Sequence, residues 1–97
     1  MDSKVLRMIG LAQKAGKVIT GTELCEKCIK SAKAKLVILA KEASASTVEN
    51  FKKYHIDIVF VESRELLGKY TGKETRTVAV ITDEGFARII KKESEES

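Results

Sequence analysis

The stretch KLVILAK, from Lys35 to Lys41, is an unbroken apolar run closed at each end by a lysine. A run without polar alternation predicts a strand buried on both faces, and a sheet covered by helices on both sides provides such a place. The flanking sequence supplies the helices. Lys4 to Ala15 carries Val5, Met8, Ile9, Ala12 and Ala15 at helical spacing, with Gly16 as its stop. KVIT (Lys17–Thr20) reads as a short strand. TGTE then opens a second helix, with Thr20 as N-cap and Glu23 three residues on in the form of a capping box, running to about Lys33. SASTVENFKKYH (Ser44–His55) predicts a third helix, in which Ser46 and Glu49 form another capping box.

IDIVFVE (Ile56–Glu62) is the third strand, SRELLGKY (Ser63–Tyr70) a short helix capped by Ser63, and TVAVIT (Thr77–Thr82) the fourth strand. Asp83 caps a last helix with Phe86, Ile89 and Ile90 as core residues. The order αβαβαβαβα belongs to the α/β class. The helix after the third strand constrains the topology. At about eight residues it spans about 12 Å, whereas a six-residue strand covers about 20 Å. A helix that short does not return the chain to the far end of the sheet. The fourth strand is therefore expected to start near the end of the third and to run antiparallel, in a mixed four-stranded sheet. The loop before it then shares a rim with the ends of the first two strands.

The chain, residues 1–97, is expected to form a single domain around one core. Its 43% hydrophobic and 33% charged residues fit an ordinary globular protein. No repeat or linker interrupts it, and only KKESEES (Lys91–Ser97) is expected to fray. No apolar run approaches the roughly 20 residues of a membrane span. MDSKVLRMIG has no signal-peptide pattern. Both point to a cytoplasmic protein with reduced thiols and no membrane partner. The net charge of +4 is uneven: through Lys53 eleven Lys and Arg face five Asp and Glu, net +6, and beyond it seven face nine, net −2. This asymmetry suits a polyanionic partner and suits a solvated lysine-rich surface about equally.

Cys25 and Cys28 form a C-x-x-C pair, but two cysteines and the lone His55 fall short of a zinc ligand set. Both cysteines share a helical stripe with Ile29 and Ala32, which favours a core role over redox or metal chemistry. His55 reads as a helix-end residue, and the serines read as caps. No catalytic constellation, phosphate-binding glycine motif or cofactor site is found. Gly68 and Gly72 serve either as turn residues or as points of close backbone approach. The outer face of the second helix holds Glu23, Lys27 and Lys30. Its N-terminus at Gly21 and Thr22 offers amide groups to an anion, with Lys14 and Lys17 upstream and Lys33 and Lys35 downstream. An ordinary surface helix with a Glu23–Lys27 pair is the plainer reading of the same pattern.

The stretches AGKVITG, AKLVILA and LGKYTGKE, within Leu11–Ser44 and Val61–Ala87, resemble the ribosomal-protein superfamily of kink-turn RNA binders. This is the L-seven-Ae and L-thirty-e group, and the likeness is greatest to its small bacterial YlxQ-type members. The resemblance covers nearly the whole chain. It implies a three-layer α/β/α sandwich with strand order 1-4-2-3 and non-catalytic, ribosome-associated binding of structured, kink-turn RNA. Three segments are implied to read the RNA: Gly21–Lys30, Lys41–Ala43 and Gly72–Thr77. By that resemblance Gly21 and Lys27 match the family's glycine and lysine at the start of the second helix; Gly21 and Thr22 are then expected to admit the bent backbone, and Lys27, Lys30, Lys73 and Arg76 to meet phosphates. Glu23 meets base edges, while the loop of Lys41 and Glu42 meets an extruded nucleotide.

Where strong family members carry Asn-Glu, this chain has Glu23-Leu24; a leucine accepts no hydrogen bond, and a glutamate donates none. Where others carry an apolar clasp, it has Lys73, Glu74 and Thr75 followed by Arg76, which shifts affinity toward phosphates and salt dependence. Structured RNA, including ribosomal RNA, and ribosomal proteins are the expected partners of a monomer without cofactor. Two alternatives remain at this stage. One is a protein-interaction module that uses Leu24, and the other is a thiol redox protein that uses Cys25 and Cys28.

Overall fold

Helix and strand alternate as the apolar pattern requires. The computed structural model describes residues 3–96. Its elements are α1 (Lys4–Lys14), β1 (Val18–Thr20), α2 (Thr22–Lys30), β2 (Leu36–Ala40), α3 (Ala45–Lys52), β3 (Ile58–Val61), α4 (Arg64–Tyr70), β4 (Val78–Ile81) and α5 (Glu84–Glu96). The strands form one sheet in the order β1-β4-β2-β3. β4 is antiparallel to both β1 and β2, and β2 is parallel to β3. The seven-residue α4 thus has the effect expected of it: β4 starts at the rim where β3 ends, with β2 between them.

Every residue of β2 is buried. Because side chains alternate across a strand, β2 feeds two cores. Leu36, Ile38 and Ala40 join Leu6, Ile9, Leu67 and Ile90 beneath α1, α4 and α5. Val37 and Leu39 join Cys25, Cys28, Ile29 and Phe51 beneath α2 and α3. The result is an α/β/α sandwich. A hydrogen bond from the Tyr54 hydroxyl to Glu26 Oε2 at 3.2 Å links the end of α3 to α2.

Several local expectations need correction. Thr20 does not cap α2. It is a β1 residue paired with Ala79, and the cap position falls to Gly21, which has no side chain to offer. Ser44 rather than Ser46 caps α3, accepting from the Thr47 amide at 3.2 Å. Helix α2 stops at Lys30, not near Lys33. Ala32 turns left-handed at φ 60°, and the Lys33 amide bonds back to the Cys28 carbonyl at 3.1 Å, which closes the helix. Ala32 is therefore exposed, outside the stripe of Cys25, Cys28 and Ile29. In α5 the buried residues are Ala87 and Ile90, whereas Ile89 is 45% exposed. The segment expected to fray is helical from Lys91 to Glu96, and Lys91 Nζ meets Asp57 Oδ2 at 2.8 Å. Ser97 lies outside the described residues.

Candidate nucleic-acid interface

Strand direction decides what meets at the sheet rim. β1 and β2 end where β4 begins. The Gly21 amide donates to the Val78 carbonyl at 3.3 Å, and the Ala40 amide to the Thr77 carbonyl at 2.9 Å. The start of α2, the Lys41–Ala43 loop and the Gly72–Thr77 loop are therefore joined along one edge by backbone hydrogen bonds.

Gly21 has φ 96° and ψ 138°, a conformation that side chains with a Cβ rarely adopt. It turns the chain sharply from β1 into α2 and leaves Thr22, Glu23 and Leu24 exposed in the first turn. Leu24 is 58% exposed, the most exposed large apolar side chain among the described residues. Lys27 is exposed one turn further on, and it makes no ion pair with Glu23 among the described residues. Lys30 ends the helix about 12 Å from Thr22.

That helix length separates two groups of lysines. Lys17 lies beside Thr82, whose amide donates to the Lys17 carbonyl at 2.9 Å, and the Lys35 amide donates to Ile81 at 2.8 Å. Lys17 and Lys35 thus occupy the opposite rim, and Lys30, the last residue of α2, lies toward it. The expectation that they flank the N-terminus of α2 fails because α2 carries the chain across the sheet.

Glu42 has a structural partner. Its Oε1 accepts from the Arg64 amide at 2.6 Å, satisfying a donor in the first turn of α4. Ser63 Oγ accepts from Leu66 at 3.1 Å in the same turn. Lys41 sits 3.8 Å from Glu62, an exposed pair. The Arg64 carbonyl in turn accepts from the Arg76 amide at 3.1 Å, fastening the Gly72–Thr77 loop to α4.

Gly72 and Gly68 hold the other end of that loop. Gly72 turns left-handed at φ 76°, and the Lys73 amide returns to the Gly68 carbonyl at 2.8 Å. At Gly68 the loop backbone lies so close that a Cβ would fall 2.6 Å from the Glu74 oxygen. The close approach that Gly68 permits is by the protein's own loop. Lys73, Glu74 and Thr75 are exposed, and one Arg76 guanidinium nitrogen donates to the Thr75 carbonyl at 2.7 Å.

Cys25 and Cys28 are buried free thiols. Burial pushes the Cys25 thiol up to about 12, and the Cys28 thiol is raised for the same reason. A reactive cysteine needs the opposite environment. Cys25 Sγ instead donates to the Ile19 carbonyl at 3.4 Å. Among the described residues no three of His, Cys, Asp and Glu are gathered to hold a metal ion. Nor is any helix among them long and apolar enough to cross a membrane.

Comparison with known proteins agrees with the fold. The chain is 43% identical over 84 residues to the RNA-binding protein YlxQ of Bacillus subtilis, covering 82% of this chain and 84% of that one. It is 38% identical over 92 residues to the RNA-binding protein YlxQ of Enterococcus faecium, covering 91% and 88%. Among solved structures, a Bacillus halodurans protein of unknown function superimposes with a TM-score of 0.91 at 31% identity, covering 97% and 99%. A Giardia lamblia 15.5kD RNA binding protein shares the fold alone, with a TM-score of 0.77 at 17% identity over 99% and 89%. The model of the ribosomal protein L7Ae/L30e/S12e/Gadd45 family matches residues 3–91, and the chain belongs to that family.

Proposed function

We propose that this protein binds structured RNA of the kink-turn type, without catalysing a reaction, through the rim formed by α2 and the Gly72–Thr77 loop. The observation that carries the reading is the joining of Gly21 to Val78 and of Ala40 to Thr77, which makes three separate segments one rigid edge. The named relatives are RNA-binding proteins, which supports the same partner. Gly21 and the exposed Thr22 let a bent backbone approach the amides of the first turn. Glu23 faces base edges there as an acceptor. Lys27, Lys73 and Arg76 supply cations to phosphates, and Lys30 reaches an RNA that continues along α2. Glu74 and Thr75 form the tip of the clasping loop. Glu42 acts by holding α4. The protein acts as a monomer in the cytoplasm, and ribosomal RNA is the first target to examine in a family described as ribosomal.

Titration of a kink-turn RNA and a straight duplex of equal length, at several salt concentrations, tests the proposal. The kink-turn is expected to bind more tightly, and Lys27→Ala to weaken it and flatten the salt dependence by about one phosphate contact. Equal affinity for the two RNAs would remove the shape-specific reading.

The 58% exposure of Leu24 favours one second reading, in which the same edge docks a protein. A purified ribosomal protein that co-elutes after nuclease treatment, and is lost on Leu24→Glu, supports it.

A further inference from the structure

A second surface adjoins the Gly72–Thr77 loop. Between α1 and α4 runs an open groove of about 540 Å³, with Gly72 at one edge. Its floor is apolar. Leu11 is 50% exposed there, beside the half-buried Tyr70 ring. Gly10 allows α1 to lie against that ring, since an added Cβ would stand 3.2 Å from Tyr70 Cδ1. Three cations edge the floor. Arg7 and Lys14 lie two turns apart on one face of α1, and Lys69 Nζ stands 5.7 Å from the centre of the Tyr70 ring. Among the described residues no acidic one lines the groove, and none of the three cations forms an ion pair.

An aromatic and aliphatic floor bordered by three cations and the neutral Gln13 suits a ligand with a flat apolar face and an anionic chain. An unpaired nucleotide has that chemistry: the base stacks and the phosphates meet Lys and Arg. The volume lies within the roughly 300–1,000 Å³ of ordinary ligand sites. Continuity with the loop at Gly72 supplies the source. We infer that the groove between α1 and α4 is an accessory subsite for a single-stranded nucleotide extending from the RNA held at the Gly72–Thr77 loop. The inference rests on the RNA-binding reading above and adds to it a preference for RNAs with an unpaired flank.

The test compares one kink-turn RNA in three forms: blunt, with a three-nucleotide single-stranded extension at either end, and with the same extension made abasic. An extension at one of the two ends is expected to tighten binding about tenfold, as one stacked base would. The abasic extension should keep only a smaller gain that added salt removes. Arg7→Ala and Lys69→Ala should lose most of the extension's gain while leaving affinity for blunt RNA within about twofold. Tyr70→Leu, which keeps an apolar side chain against the core, should lose the base-dependent part. Tight binding of blunt RNA with no gain from either extension overturns the subsite and leaves the RNA reading standing. A gain that survives Arg7→Ala and Tyr70→Leu together overturns it too. Failure of blunt kink-turn RNA to bind overturns the RNA reading and the subsite with it.

Discussion

Replacing Gly68 with alanine puts two opposite effects in competition. In an isolated helix the change is favourable by about 1 kcal/mol, because alanine is the better helix former. In this protein the new Cβ would lie 2.6 Å from the Glu74 carbonyl oxygen, and 2.7 Å from both the Glu74 carbonyl carbon and Thr75 Cα. All three are backbone atoms, so no side chain can rotate away. Ordinary contact at about 3.5 Å requires the loop to retreat by nearly 1 Å. Overpacking of that kind costs about 1–3 kcal/mol. The retreat also pulls on the Lys73–Gly68 and Arg76–Arg64 backbone hydrogen bonds, at 2.8 and 3.1 Å, each worth about 1 kcal/mol. The net expectation is a loss of about 1–3 kcal/mol, read as a lower urea midpoint at unchanged slope, with kink-turn affinity falling further than stability alone explains. Gly10→Ala is the milder comparison: its nearest neighbour, at 3.2 Å, is a Tyr70 side-chain atom, which need move only a few tenths of an ångström. A Gly68→Ala protein as stable as the parent, with the same RNA affinity, would refute the reasoning.

Ala32→Gly should raise stability by about 1 kcal/mol, since the left-handed residue at φ 60° loses its Cβ penalty; equilibrium urea unfolding reads it. Gly21→Ala should cost about 1–3 kcal/mol through backbone strain alone, because a Cβ there meets nothing within 4 Å, and unfolding midpoints decide it. Glu42→Ala should speed amide exchange at Arg64 and Arg76 together; weaker RNA binding with both amides still protected would mean that the carboxylate meets RNA directly. Cys25 is held protonated in the fold to about 12, against an ordinary 9.0. The stability this carries is intact below pH 9.0 and declines as pH rises from 9.0 toward 12, at up to about 1.4 kcal/mol per pH unit. Alkylation of the native thiol at pH 8 should be as slow as unfolding, and rapid labelling would contradict it.

The layer order and the direction of β4 were legible because they follow from lengths and apolar runs. LVILA could only be a strand buried on both sides, and α4 was too short to cross the sheet. What escaped is specified by backbone angles or by distance in space. Helices α1 and α2 end in the same way, with a left-handed residue followed by an amide reaching back five residues: Lys17 to Ala12, and Lys33 to Cys28. In α1 that residue is Gly16 and announces itself; in α2 it is Ala32, which reads as a continuation of the helix. SAST offers three hydroxyls within four residues, and only geometry selects Ser44. Lys17, Lys33 and Lys35 surround α2 in sequence, yet a strand–helix–strand unit returns its outer ends to the far rim.

The same contrast separates what positions the interface from what charges it. The three segments of the rim are held by bonds that do not depend on their exposed side chains: Gly21 to Val78, Ala40 to Thr77, and Arg76 to Arg64. The exception is Glu42, whose carboxylate completes the chain from the β2 loop through the first residue of α4 to the loop before β4. Under the proposed function, an edge ordered before RNA arrives would give up little conformational freedom on binding, and its shape would discriminate a bent helix from a straight one. Lys27 and Lys73 are exposed and adjustable, and the phosphate contacts proposed for them would be diluted by salt. Shape discrimination and salt sensitivity should therefore vary independently. Changes at Gly21, Gly68 or Glu42 should narrow the gap between bent and straight RNA at any ionic strength. Changes at the lysines should lower both affinities together and leave the gap in place.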